Sequence, residues 1–246
     1  MATEITKKIR KVKTAQKPKP SSDENKNKHK RSELNFEFME AEKLVVQDPN
    51  NSDHWVHYIA LLAEKDGIEK ARKEVNRALL VINFNREHDK LNIWKTYLNL
   101  EYYFGSADKL LEVCRNALAA NKKEDILCHV IDLYIQDNKF EEAEEFVKLL
   151  LKKGENKMRS WLKYIEFTAR WRDVMKAGEE SETELTDFDD KIKELVRRAL
   201  QSLPKKEHIY FLTQYSIIEY KHGNFDIPRT NFENMVSLFP KRNDIW

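Results

Sequence analysis

The sequence predicts an all-α fold, a right-handed superhelical solenoid of antiparallel helix pairs, and three observations carry that expectation. Apolar residues recur at helical spacing almost throughout from Ser32 onward. Five glycines and six prolines, with 35% of residues charged and 41% hydrophobic, suit an extended helical array with much wet surface better than a sheet-rich globule. One short pattern also returns along the chain. It reads "WVHYIAL" from Trp55, "WKTYLNL" from Trp94 and "WLKYIEF" from Trp161, with weaker copies "LCHVIDLY" from Leu127 and "LTQYSIIE" from Leu212, and Trp246 stands last. Successive starts lie 39, 33, 34, 51 and 34 residues apart, a period of about 34 with one stretched unit.

The chain divides near residue 32. Residues 1–31 hold eleven Lys or Arg against Glu4, Asp23 and Glu24, whereas the rest holds 33 basic and 39 acidic groups, so the overall net charge of +2 conceals a basic tail on an acidic body. The stretch "KPKPSSDENKNKHKR" has almost nothing apolar to bury, and residues 1–32 are expected to be disordered. Lys7, Lys8, Arg10, Lys11, Lys13, Lys28, Lys30 and Arg31 suit a nuclear or nucleolar address, or sequence-blind attraction to RNA phosphates. The tail has no aromatic on which a base could stack, which favours an address over a specific RNA reader.

About five helix pairs are expected in residues 33–246. In the first helices Trp55 and Tyr58, Trp94 and Tyr97, Trp161 and Tyr164, and Tyr215 belong in the grooves between neighbouring helices. Gly67, Gly105, Asn138 and Gly223 follow these helices, residues that tolerate the left-handed conformation ending a helix. The fourth pair is interrupted by a polar insertion near 172–188, around Gly178, expected to hold a poorly ordered loop within roughly 173–187. The second helices begin "IEKAR", "ADKLL", "FEEAE", "KIKEL" and "IPRTN", with Ala71, Ala78, Ala117, Ala143 and Ala199 on their inner faces. Pro204 and Pro240 stop two of them, and Pro228 fits only a first turn, which starts the last helix near Asp226.

One position conflicts with this pattern. At about 100° per residue Trp94, Tyr97 and Glu101 share a stripe, which sets a carboxylate among the bulkiest apolar groups. A bare buried charge is costly, so Glu101 needs a donor and reads as a fold-specifying residue.

Nothing in the sequence invites catalysis. There is no phosphate-cradling glycine loop, HExxH, GxSxG or kinase signature, and no catalytic residue, metal ligand set or cofactor is expected. His54 and His57 share a helix face without a third ligand and read as surface histidines, while Cys128 and His129 point to different faces. Cys114 and Cys128 are too few for a disulfide framework and read as buried free thiols. No apolar stretch approaches the roughly 20 residues that span a bilayer, and a soluble intracellular protein without membrane partners is expected.

The helical pairs with Trp-x-x-Tyr, a Glu seven residues after the Trp, then Ala-Arg and a closing Pro resemble the half-a-tetratricopeptide (HAT) repeat of RNA-processing proteins. More closely, "IEKARKEVNRALLVINFNREHDKLNIWKTYLNLEYYFGS", "LPKKEHI" and "FENMVSLFPKRNDIW" resemble the C-terminal module of the programmed cell death protein 11 family of ribosomal RNA processing factors, over roughly Phe36 to Trp246. In that family OB-fold RNA-binding repeats precede the module and further helical units follow it. The resemblance implies a non-catalytic scaffold in ribosome biogenesis, binding pre-ribosomal assembly proteins and pre-rRNA directly or through partners, in the nucleus and nucleolus. The alternative within the same repeat class is a scaffold for pre-mRNA splicing or messenger 3′-end formation. It also gives Glu101 and Glu219 their expected donors, Arg72 and Arg229, at family-like arginine positions. Against the family pattern the array reads as truncated, so that Phe232, Met235, Phe239 and Trp246 are expected to form an exposed, self-associating C-terminal face.

Overall fold

A computed structural model describes residues 24–178 and 182–238, with side chains over 35–178 and 185–238. The elements are α1 (Glu24–Gln47), α2 (Ser52–Asp66), α3 (Ile68–Val81), α4 (Glu87–Phe104), α5 (Ala107–Ala120), α6 (Lys123–Gln136), α7 (Phe140–Lys153), α8 (Lys157–Ala177), α9 (Glu182–Ser202), a 3₁₀ turn (Lys205–Glu207), α10 (His208–Lys221) and α11 (Asp226–Leu238). No strand occurs among the described residues, and the fold is an all-α array of helix pairs: α2–α3, α4–α5, α6–α7, α8–α9 and α10–α11. The helices gather into two compact units that meet in sequence between Lys122 and Lys123.

Within each unit a first helix packs on its own partner and on the first helix of the following pair. Thus α2 touches α3 and α4, α6 touches α7 and α8, and α8 touches α9 and α10. The alanines of the second helices make this close approach possible, since Ala71, Ala78, Ala117, Ala143 and Ala199 are all fully buried. Polar caps fix where several helices begin. Asn51 accepts from the Asp53 N–H at 3.0 Å, Ser106 from Lys109 at 3.2 Å and Asn156 from Arg159 at 3.0 Å. Gly67 at φ 90°, Gly223 at φ 78° and Asn138 at φ 56° take the left-handed conformation expected of them. Gly105 does not; its φ is −90°, and its small size serves a different purpose described below.

Three expectations need correction. The array does not begin at residue 33, because α1 starts at Glu24 and its backbone takes in Lys28, Lys30 and Arg31; Lys7, Lys8, Arg10, Lys11 and Lys13 lie outside the described residues. Docking of Ala41 and Val45 in the core, with Phe38 against Tyr58 at 5.2 Å, supplies a template from which a helix extends more readily than it nucleates. Second, 172–188 is largely helical: α8 runs to Ala177 and α9 begins at Glu182, so each has 21 residues. Aromatic packing holds these extensions. Trp171 stacks on Phe140 at 5.5 Å and 9°, meets Phe167 edge-on at 5.7 Å, and reaches Phe188 of α9 at 5.5 Å. Third, Met235 is not exposed. It is 4% accessible, with its sulfur 3.9 Å from the Thr213 hydroxyl of α10. Phe232 is half-buried, and Phe239, Pro240 and Trp246 lie outside the described residues.

Candidate functional site

The polar side chains of the core are absorbed by bonds within the chain. Arg72, near the start of α3, meets Glu101 of α4 in a two-pronged contact, Nε to Oε1 at 2.7 Å and Nη2 to Oε2 at 2.6 Å. The Glu101 side chain is fully inaccessible and Arg72 only about a fifth exposed, so the pair lies where water screens little. Hydrogen bonding to Glu101 raises the Arg72 guanidinium well above its ordinary range. Gly105 makes the space: a Cβ there would lie 2.0 Å from Glu101 Oε2 and 2.8 Å from the Glu101 carbonyl oxygen. Tyr97 is buried beside this pair and Trp94, half-buried, stacks on it at 6.3 Å and 19°.

Glu219 of α10 has a different partner from the one expected. Arg229 is exposed and bonds Glu233 one turn along its own helix at 2.9 Å. Arg172 of α8 serves instead, donating from Nη2 to Glu219 Oε2 at 3.3 Å and from Nη1 to Asp189 of α9 at 2.6 Å. Among the described residues Glu219 Oε1 has no hydrogen-bond partner, and Tyr215 beside it has its hydroxyl pKa pushed up by burial and then by the Glu219 charge. The sequence alone hides this role of Arg172, which stands at the edge of an apparent insertion.

Two further groups, one buried and one half-buried, tie turns and helices together. Glu124, in the first turn of α6, accepts from the backbone N–H groups of Glu155 and, at 2.8 Å, Asn156, and so fixes the α7–α8 turn. Burial pushes its carboxyl up, but these N–H groups outweigh that and hold it below the usual range. Gly154 in that turn is also required by space, since a Cβ would lie 2.5 Å from Ser160 Oγ. Lys163 of α8 bridges Asp132 of α6 at 2.7 Å and Glu166 at 3.0 Å.

The remaining motif residues are structural in their contacts. Trp55 is buried and donates to the Pro49 carbonyl at 2.9 Å, while Trp161 donates to the Ser202 hydroxyl at 2.8 Å. Tyr58 and Tyr164 are buried, the latter with Lys191 5.9 Å from its ring. Cys114 is buried, but Cys128 is only half-buried, and burial raises both thiols. His54 and His57 are half-buried rather than surface groups. Among the described residues no group of three or more His, Cys, Asp or Glu is placed to hold a metal ion, and no helix is long and apolar enough to cross a membrane.

With the core polar groups engaged internally, the surface is what this chain presents to others. Large apolar side chains stand in the open at several places, among them Phe36 and Val46 of α1, 63% and 74% accessible, and Leu238 at the end of α11, 72%. In the first unit Leu80 and Phe84, at the end of α3, are 86% and 88% accessible. In the second, Tyr210, Ile217 and Tyr220 of α10 are exposed, with Phe225 meeting Tyr220 edge-on at 5.3 Å. No sequence pattern singled these out, because exposure depends on which face of a uniformly apolar helix finds a partner.

No family model matches the chain. Among curated proteins it is similar to Protein RRP5 homolog of Homo sapiens, 34% identical over 205 residues, to that of Mus musculus, 33%, and to rRNA biogenesis protein rrp5 of Schizosaccharomyces pombe, 32%. Each alignment covers 83% of this chain but only 10%, 10% and 11% of the relative, so the chain spans about a tenth of the length of the curated relatives it matches. Among solved structures, BtubC (BKLC) from P. vanneervenii overlaps 86% of this chain and 91% of its own at 15% identity with a TM-score of 0.37, too slight a likeness to bear on function.

Proposed function

We infer, for a chain homologous to one HAT-like segment of the RRP5 proteins of ribosomal RNA biogenesis, that it acts as a non-catalytic scaffold in ribosome biogenesis. The observation that carries this reading is the extent of the homology, 32–34% identity over 205 residues, 83% of the chain. The structure supports a binding role over a catalytic one: its buried carboxylates serve as partners for Arg72, Arg172 and backbone N–H groups, while large apolar side chains stand exposed. Helical arrays of this kind present extended surfaces to partner proteins. The partners in this reading are pre-ribosomal assembly proteins, with pre-rRNA held directly or through them, in the nucleus and nucleolus. The basic tail supplies the address and a sequence-blind attraction to RNA.

A tagged full-length chain, captured from cells and sequenced for both protein and RNA, tests the reading. Enrichment of pre-rRNA with ribosome assembly factors is expected. Enrichment of spliceosomal or messenger RNA instead would replace it with a role in splicing or 3′-end formation. Self-association through the C-terminal end belongs to the same proposal, since Leu238 is 72% accessible and Phe232 half-buried. Phe232→Ser with Phe239→Ser should then disperse an oligomer seen by sedimentation, and an unchanged oligomer would place the contact elsewhere.

A further inference from the structure

A helix N-terminus carries partial positive charge and favours acids, so lysines placed there work against the helix they open. In the second unit Lys157 is the first residue of α8, and Lys205 and Lys206 stand in the 3₁₀ turn that leads into α10. Lys152 and Lys153 suit the last turn of α7, and with Lys157 they put three exposed lysines around the α7–α8 turn. Lys157 donates to the Leu151 carbonyl at 3.0 Å, and none of these lysines forms an ion pair among the described residues. Three of them therefore oppose a helix dipole without a compensating partner, which points to a negatively charged ligand rather than to the fold.

The α7–α8 and α9–α10 turns lie side by side, joined by the bond from Trp161 of α8 to Ser202 at the end of α9. Between them is an open cleft of about 550 Å³. Buried Leu203, half-buried Met158 and exposed Pro204 give it apolar walls, and Glu155 and Glu207 give it two carboxylates, neither in an ion pair among the described residues. Asn156 lines it too; its side-chain oxygen caps α8 by accepting from the Arg159 N–H, which leaves its NH2 group as a donor. The cleft has the pair α6–α7 before it and α10–α11 after it, so its walls are internal to the array. The other charges at this edge are mostly engaged: Arg159 is held by Asp125 at 2.7 Å, Arg197 by Glu194 at 2.6 Å, and Glu124 is buried on backbone N–H groups, while exposed Arg198 lies over the Trp161 ring at 5.5 Å.

The carboxylates inside the ring of lysines decide which anion fits. An acidic peptide drawn to the lysines would bring its own carboxylates against Glu155 and Glu207. A nucleotide separates its charges in the required sense. Its phosphates meet the lysines outside, its flat base lies against Met158, Leu203 and Pro204, and an exocyclic amine donates to a carboxylate, as cytosine N4 does. Uracil carries a carbonyl oxygen at that position, which a carboxylate repels.

We propose that this cleft seats one amino-bearing nucleotide of a single-stranded RNA, its base donating to Glu155 and Glu207 and its adjoining phosphates lying on lysines of the two turns. The inference deepens the scaffold reading by giving RNA a base-selective contact on the array, beside the sequence-blind attraction of the tail. It is tested separately from that reading, since the cleft can fail to tell bases apart while the chain still recovers pre-rRNA.

The test uses the full chain with fluorescent oligocytidine and oligouridine of equal length, read by anisotropy, so that attraction of the tail to phosphates cancels in the ratio. Oligocytidine is expected to bind at least about tenfold more tightly, a difference of about 1.4 kcal/mol. Glu155→Gln with Glu207→Gln should bring that ratio close to one, whatever it does to the two affinities. Lys205→Glu with Lys206→Glu should weaken oligocytidine about tenfold or more, with the melting temperature of each variant as the control for folding. Equal affinity for the two oligonucleotides, a preference that survives loss of both carboxylates, or binding indifferent to the lysine changes would overturn the proposal. So would cytidine monophosphate binding as tightly as oligocytidine, which would make the ligand a free nucleotide, or a polyglutamate peptide displacing oligocytidine from the parent chain but not from the lysine variant, which would give the cleft to an acidic protein.

Discussion

Glu101 shows how a single carboxylate can be safe inside a helical array only because three residues cooperate. Arg72 neutralises it, Gly105 leaves it room, and the fixed distance between α3 and α4 holds both prongs of the contact in line. Arg72→Ala strands a buried charge and should cost about 3–5 kcal/mol in chemical denaturation, whereas replacing both partners by apolar residues, Arg72→Met with Glu101→Leu, should cost much less. Gly105→Ala should cost about 1–3 kcal/mol by overpacking, and less on a Glu101→Ala background, where only the clash with the backbone carbonyl remains. Additive losses would show that Gly105 acts independently of the carboxylate. Glu124 adds a pH dependence. Its folded carboxyl titrates below the ordinary glutamate value of about 4.3, so its contribution is present above that pH and fades as pH falls through the depressed folded value. Glu124→Gln should therefore lower the melting temperature at pH 7 but approach the parent protein as pH falls through the depressed folded value, and a gap that persists in acid would contradict the assignment. The need for a partner at Glu101 was legible in the sequence because charge and aromatics shared one stripe. The roles of Glu124 and Gly105 were not: an acid in a first helical turn is commonplace, and a glycine required for its volume reads like one required for its torsion.

At the scale of the element, α8 and α9 show why a polar run is a poor guide to disorder. The stretch "EESETELTDFDD" lacks the apolar periodicity that marks a helix, yet an acid-rich beginning suits a helix N-terminus, where the backbone dipole favours negative charge. Phe188 is the aromatic anchor of its second half, and it reaches Trp171, which also stacks on Phe140 of α7. Trp171→Ala should cost about 3 kcal/mol and speed amide hydrogen exchange over 185–189 more than at α10. Equal acceleration everywhere would mean that the extension melts only with its whole unit. The pairing of Arg172 with Asp189 and Glu219 was hidden for the same reason: a residue taken for the edge of a loop is not asked to serve a distant carboxylate. The helix pairs themselves were legible, because their signals, a tryptophan at a regular interval and alanines on the second helices, come from close packing that each pair repeats.

For the whole molecule, charge separates what packing does not. Basic groups concentrate before residue 32, while the remaining chain is net acidic, so any sequence-blind hold on RNA is expected to come from the first part. Deleting residues 1–31 should remove most salt-sensitive binding to single-stranded RNA and flatten the plot of log affinity against log salt, which falls by about 0.7 per phosphate contact. An unchanged slope would transfer the RNA contacts to the helical array.

The bond between Arg72 and Glu101 also bears on how such an array is inherited. Its two ends are 29 residues apart and belong to different helix pairs, so they are separate parts of the gene that must stay in step. A tandem duplication of the pair α2–α3 would place a second arginine beside a first helix whose matching position is Leu62 rather than a glutamate, and a clean loss of that pair would leave Glu101 buried without its cation. Gain or loss of single pairs is therefore penalised at this junction, and the lineage of the chain should show α2 through α4 transmitted as one block.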